Sequence, residues 1–152
     1  MMCYTAYSTK VLAGGELTTL ISGGSTRCCL FGPDSYALGI LFVSIDESFF
    51  AAGDMSTSRA FHTATRLGDG EVLLAGGANV HSVARDLKVF TSVTPLASAE
   101  LFNPISVTFT NTGNMTTARS WHTATSLGNG SVLVVGGVDA NGNVLSTAKL
   151  YH

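Results

Sequence analysis

The chain repeats itself at a spacing of sixty residues. RAFHTATRLGDGEVLLAGG, Arg59 to Gly77, returns as RSWHTATSLGNGSVLVVGG, Arg119 to Gly137, and pairing residue n with n + 60 from Leu41 to Gly77 gives 19 identities in 37 positions without a gap. Each copy reads as a strand, a tight Asp-Gly or Asn-Gly turn, and a second strand stopped by Gly-Gly, which is the sequence form of a β-hairpin. The 3.6-residue apolar period of a helical repeat is absent.

The identities mix apolar, turn and polar positions: Leu41/Leu101, Phe42/Phe102, Phe49/Phe109, Gly53/Gly113, Met55/Met115, Arg59/Arg119, His62/His122, Gly70/Gly130 and Gly76/Gly136. A unit of roughly 50 residues holding four short strands fits one blade of a β-propeller. In the first strand of the complete copy, Phe61, Thr63, Thr65 and Leu67 alternate with His62, Ala64 and Arg66, since side chains on a strand change face at every residue. Val72 to Ala75 is a continuous apolar run of the kind found in a strand buried on both faces. Phe109 is placed to pack between neighbouring blades.

Composition narrows the function classes. With 45% apolar and 12% charged residues in a chain of 152, a core is available and disorder is excluded. A net charge of −2 with scattered lysines and arginines leaves no electrostatic footprint for nucleic acid or an anionic membrane. The longest apolar run, Tyr36 to Ile45, is about half of what crosses a bilayer as a helix, and MMCYTAYSTK lacks the order of a secretory leader. Localisation is therefore left open. The three cysteines Cys3, Cys28 and Cys29 include no Cys-x-x-Cys, and adjacent cysteines close a disulfide on each other only with strain. They read as inert thiols.

Taken in order, residues 1–51 form a degraded first unit, 59–111 a complete second unit and 119–152 part of a third. In the first, Tyr7 to Leu12 and Gly15 to Gly24 are the expected hairpin, Ser25 to Ser35 a loop containing Gly32-Pro33-Asp34, and Tyr36 to Ser44 and Ser48 to Ala51 the remaining strands. In the second, strands are expected near Ala60 to Leu67, Glu71 to Ala75, Ser98 to Phe102 and Thr108 to Asn111, with a long connection from Ala78 to Pro95. The third repeats the hairpin, turns through Asp139 to Val144, and begins another strand at Thr147.

The pattern R-x-x-HTAT-x-L-G-[DN]-G-x-V-L-x-x-GG, followed by A-x-L-[FY] and by F-x-x-x-G-[DN]-M, resembles the kelch repeat in the form found in proteins with a galactose-oxidase-like central propeller. The resemblance covers Leu41 to His152 well and the first forty residues poorly. It implies an all-β chain of four-stranded antiparallel blades, here an incomplete ring of two to three, because such rings usually hold six or seven. An incomplete ring implies further blades or self-association. Galactose oxidase relatives use copper held by tyrosines and histidines, with a cysteine–tyrosine crosslink. No motif here carries those residues position by position, so no cofactor and no metal ligand is assigned.

His62 and His122 recur at equivalent points, as do Gly76, Gly77, Gly136 and Gly137, and a repeated residue serves the repeated fold; a hydrogen-bonded structural histidine is expected. Arg59 and Arg119 follow the Gly-[Asp/Asn]-Met turn between blades, where a planar guanidinium either ties blades to backbone carbonyls or meets an acidic ligand. Asp69 and Asn129 are turn residues. Asp46, Glu47, Asp54, Glu71, Asp86 and Glu100 form no acid/base pair.

In a four-strand meander, the connection after the second strand and the connection between blades leave on the same face. Ala78 to Pro95, with His81, Arg85, Asp86, Lys88 and Phe90, is the longest and least repeated of these, and long connections on a rigid scaffold are where binding resides. The expected function is a non-catalytic module presenting this face to a protein or carbohydrate partner. The alternatives are a fragment of a copper oxidase and a structural fragment without activity.

Overall fold

The computed structural model describes residues 3–13, 16–27, 34–35, 37–43, 48–85 and 88–152. The strands of the first sheet are β1 (Cys3–Ala13), β2 (Glu16–Arg27), β3 (Asp34–Ser35), β4 (Leu38–Val43) and β5 (Ser48–Asp54). They pair antiparallel in the order β1-β2-β4-β5, with β3 on β2. β2 runs on to Arg27, so part of the stretch 25–35 expected as loop is strand. Cys28, Cys29, Asp46 and Glu47 lie outside the described residues.

In the complete repeat, β6 (Thr63–Arg66) and β7 (Val72–Ala75) form the expected hairpin, paired from Thr63↔Ala75 to Arg66↔Val72. The Asp-Gly turn closes it because Gly70 takes the left-handed conformation at φ 96° while Asp69 Oδ1 accepts the Glu71 N–H at 3.0 Å. The chain then forms β8 (Ala78–Arg85) and β9 (Lys88–Pro95). This corrects the expectation of an irregular connection over 78–95: the stretch is an antiparallel ribbon in unbroken register from Ala78↔Pro95 to Arg85↔Lys88. Next come β10 (Ala99–Asn103) and β11 (Thr108–Thr112), completing a four-stranded meander in the order β6-β7-β10-β11. β12 (Thr123–Ser126), β13 (Val132–Val135) and β14 (Ala148–Tyr151) make the third sheet.

The chain is all-β: among the described residues there is no helix and no closed barrel, and the successive small antiparallel sheets are those of a partial β-propeller. β6 lies against β1 on one side and β12 on the other, while β5 meets β11. A backbone rung recurs at the end of the outer strand pair in the first and second sheets: the Met55 N–H donates to Ala37 O and the Met115 N–H to Ala97 O, both at 2.8 Å.

Alternation along β7 distributes its apolar side chains between the two junctions. Val72 and Leu74 join Leu20, Ala52, Met55 and Phe102 against the first sheet. Leu73 and Ala75 join Ala99, Met115, Val132 and Val134 against the third. Each buried Val, Leu, Phe or Met side chain among these stabilises the fold by about 1.5–3 kcal/mol for its full burial. Phe109 packs on the first of these clusters, its ring 4.9 Å from that of Phe102. In the third sheet, Val135, the repeat counterpart of the buried Ala75, is 41% exposed.

Candidate binding face

Two residues in the repeated motif hold an unusual backbone conformation. Phe61 has φ 58° and Trp121 φ 53°. A bulky side chain in the left-handed region is strained, and such strain persists only where surrounding contacts over-determine it. Here the contacts are visible. Ala60 exchanges backbone hydrogen bonds with Ala78 at 2.9 and 2.7 Å, and Ser120 exchanges them with Val138 at 3.1 and 2.9 Å. These bridges hold the residue before each aromatic, and the residue after it, His62 or His122, is itself buried.

The consequence is an aromatic step across the junction of two sheets. The Phe61 and Trp121 rings are stacked with centroids 4.4 Å apart and an interplanar angle of 24°, and the Trp121 backbone N–H donates to Phe61 O at 3.2 Å. Phe61 also packs on the buried trio Ala60, Ala78 and Val80, so the step stands at the foot of the β8–β9 ribbon. Trp121 is 53% exposed. Asn79 Nδ2 donates to Ser58 Oγ at 2.8 Å, which ties the ribbon to the connection between the first two sheets. The ribbon foot, that connection and the aromatic step thus share one face.

The residues singled out by sequence divide by burial. Arg59 and Arg119 are inside the protein. Arg59 Nη1 donates to Gly76 O at 2.8 Å and Ser98 O at 3.1 Å, and Nη2 donates to Ser98 Oγ at 3.2 Å and Glu100 Oε1 at 2.6 Å. Arg119 Nη1 donates to Gly136 O at 2.9 Å and Thr147 O at 3.0 Å, and Nη2 to Thr147 Oγ1 at 3.1 Å. Burial pulls both guanidinium groups below the usual arginine range, and in Arg59 the hydrogen bond and charge of Glu100 oppose it.

His62 and His122 are buried, and His122 Nε2 lies 3.0 Å from Thr63 Oγ1. Burial, with the Arg59 charge and then His122 adding to it, lowers the His62 pKa to about 3. Burial and the Arg119 charge lower that of His122 to about 4. Both rings are neutral at neutral pH.

The histidines press on the glycine pairs. A Cβ on Gly77 would stand 2.5 Å from Ala60 O and 2.8 Å from His62 Cβ, and one on Gly137 2.6 Å from Ser120 O. At Gly76 a Cβ would meet Arg119 O at 2.7 Å, whereas at Gly136 the nearest atom is Leu145 O at 3.6 Å.

On the ribbon His81 is exposed. Arg85 ends β8, and Lys88 and Phe90 lie on β9. Asp86 lies outside the described residues. Phe61 and Trp121, which form the step, are not among the residues singled out by sequence; the available signal was an aromatic at the same place in both copies of R-x-x-H.

Copper does not fit this face as described. The step carries a phenyl and an indole, which offer no lone pair to a metal, and among the described residues no group of three or more His, Cys, Asp or Glu side chains converges.

The chain matches no protein-family model and no curated protein. It is similar in structure to a fungal alcohol oxidase of the AA5 family in complex with copper, at 22% identity and a TM-score of 0.66, over 91% of this chain and 27% of that one. It is also similar to YjhT, at 14% identity and a TM-score of 0.66, over 92% of this chain and 41% of that one. The chain therefore spans under half the length of either protein, and what the likeness shows is the fold: a galactose-oxidase-like β-propeller architecture.

Proposed function

We propose that the chain is a kelch-type arc of propeller blades serving as a non-catalytic binding scaffold, with the Phe61–Trp121 step as the contact surface. The observation that carries this reading is the exposed indole of Trp121, stacked on Phe61 and held by a strained backbone. A rigid aromatic face loses little conformational entropy on binding and prefers a partner presenting a flat apolar edge beside polar groups. The weak net charge and the Ser58–Asn79 rim favour a neutral hydroxylated ring, that is a carbohydrate, over an anionic polymer. The ribbon beside the step would supply the second wall. The half-exposed face at Val135 is where a further blade or a second chain would pack.

Trp121 is the single tryptophan, so its fluorescence reports directly on the step. Titration with a panel of neutral mono- and disaccharides should give a saturable change in emission that Phe61→Ala weakens at least tenfold. A flat response across the panel, with an unrelated protein partner retained by Trp121→Ala, would remove the step from any binding role.

A further inference from the structure

The third sheet carries two Asn-Gly pairs, Asn129-Gly130 in the turn between β12 and β13 and Asn141-Gly142 in the connection between β13 and β14. Their backbones match. Gly130 has φ 85° and Gly142 φ 80°, and each glycine N–H donates to the carbonyl three residues back, Gly130 to Leu127 O and Gly142 to Asp139 O, both at 3.1 Å. Both asparagines are exposed.

The side chains and the flanks differ. Asn129 Oδ1 accepts the Ser131 N–H at 3.1 Å. Asn141 bonds through its backbone N–H, to Asp139 Oδ1 at 2.8 Å, and among the described residues its carboxamide is not held. The ladder from Thr123↔Val135 to Ser126↔Val132 braces the first turn, whereas the isolated bridge Val138↔Val144 closes the second. Asparagine is thermolabile, and a following glycine, without a Cβ, lets its nitrogen approach the asparagine side chain. Cyclisation turns the carboxamide carbon onto that nitrogen, so Asn129 must first give up a hydrogen bond that Asn141 does not make.

We propose that Asn141 is a site of spontaneous deamidation and that its conversion loosens the hold on Trp121. The Gly142 amide nitrogen loses its proton to hydroxide and bonds to Asn141 Cγ. The Cγ–Nδ2 bond breaks, and the departing nitrogen takes a proton from water and leaves as ammonia. Water then opens the succinimide at one of its two C–N bonds, giving aspartate or isoaspartate with no change in oxidation state. The product sets a second carboxylate two positions from Asp139, and like charges repel. Asp139 orders this connection: Oδ1 accepts from the Asn141 and Asn143 N–H groups at 2.8 and 2.9 Å, and Oδ2 from Asn143 Nδ2 at 3.1 Å. Val138, which opens the connection, is bridged to Val144 and to Ser120, and the Ser120 bridge holds the residue before the strained Trp121. This chemistry needs no ligand and holds whether or not the aromatic step binds sugar.

The test is incubation of the full chain in mildly alkaline buffer, with samples digested and mapped by mass spectrometry for replacement of the amide NH2 by OH. In the folded chain Asn141 should convert at least fivefold faster than Asn129, and in concentrated urea the two rates should converge. A folded-state rate at Asn129 equal to or above that at Asn141 overturns the assignment, as does an Asn141 that stays intact in the fold while it converts in urea. Trp121 emission should drift in step with Asn141 conversion, and Asn141→Gln, whose ring closure is slower because the ring is six-membered, should hold it steady. Drift that persists in Asn141→Gln, or emission unchanged after Asn141 has converted, overturns the link to Trp121.

Discussion

Arg59 and Glu100 form an ion pair at 2.6 Å with both side chains withdrawn from solvent, at 0% and 1% exposure. The pair links the segment entering the second sheet to that sheet's third strand, 41 residues away. Removing one partner leaves the other charge buried, which costs about 3–5 kcal/mol, whereas replacing both by apolar groups of similar volume is close to neutral. Glu100→Ala should therefore lower the urea-unfolding free energy by about 3–5 kcal/mol, and Arg59→Met with Glu100→Leu should recover most of the loss. A double variant as unstable as the sum of the single ones would show that the two side chains act separately.

The buried imidazoles make stability depend on pH. In the unfolded chain each takes up a proton below about pH 6.5, while in the fold His122 resists protonation to about 4 and His62 to about 3. Folded pKa values lie below unfolded ones, so this stability is intact above about pH 6.5 and is lost as pH falls, by up to about 1.4 kcal/mol per pH unit for each ring. Denaturant midpoints measured from pH 7 to 4.5 should fall steadily, and His62→Gln should reduce the slope by about one proton. A parent midpoint constant over that range would contradict the buried neutral state.

Equivalent glycines should respond unequally to alanine. Gly136 has φ 69° and its nearest obstacle is 3.6 Å away, so Gly136→Ala meets mainly the left-handed backbone penalty of about 1–2 kcal/mol. Gly76 has φ 58° and would place its new methyl 2.7 Å from Arg119 O and 2.8 Å from Met115 Cε. Gly76→Ala should cost more than Gly136→Ala by at least about 1–3 kcal/mol of overpacking. Equal losses in urea titrations would mean that the junction between the second and third sheets yields readily.

The ribbon should be separable from the fold, apart from its foot. Ala78 and Val80 are buried, while 91–94 are exposed. Replacing 82–91 by a two-residue Asn-Gly turn keeps the foot and shortens the closed loop, a change whose entropy scales slowly, about 0.6 kcal/mol per doubling of length. The unfolding midpoint should stay close to that of the parent, and the response of Trp121 fluorescence to a sugar should weaken. Loss of cooperative unfolding would show that the ribbon tip carries part of the fold's stability.

The amino-acid sequence by itself determined the repeat, the hairpin over 63–75 and the glycine pair that ends it, because these depend on neighbours a few residues apart: alternation, a turn needing positive φ, and the stop at Gly-Gly. The meander strands Ala99–Asn103 and Thr108–Thr112 were legible from the same patterning. The ribbon over 78–95 was not, since the sequence between the paired Arg85 and Lys88 is Asp-Leu, without the glycine that marks a two-residue hairpin. Only the tertiary structure decided that Arg59 would meet Glu100 and that Phe61 would stack on Trp121. Those pairs join residues 41 and sixty positions apart, and their geometry follows from how one sheet is set against the next, which no local preference encodes. The positive φ of both aromatics runs against their intrinsic preference and is imposed by the bridges Ala60↔Ala78 and Ser120↔Val138. The difference between Glu100 and Lys149 was present in the sequence as a single exchanged letter; the register that sets the first opposite Leu74 and the second opposite Val134 came from the structure.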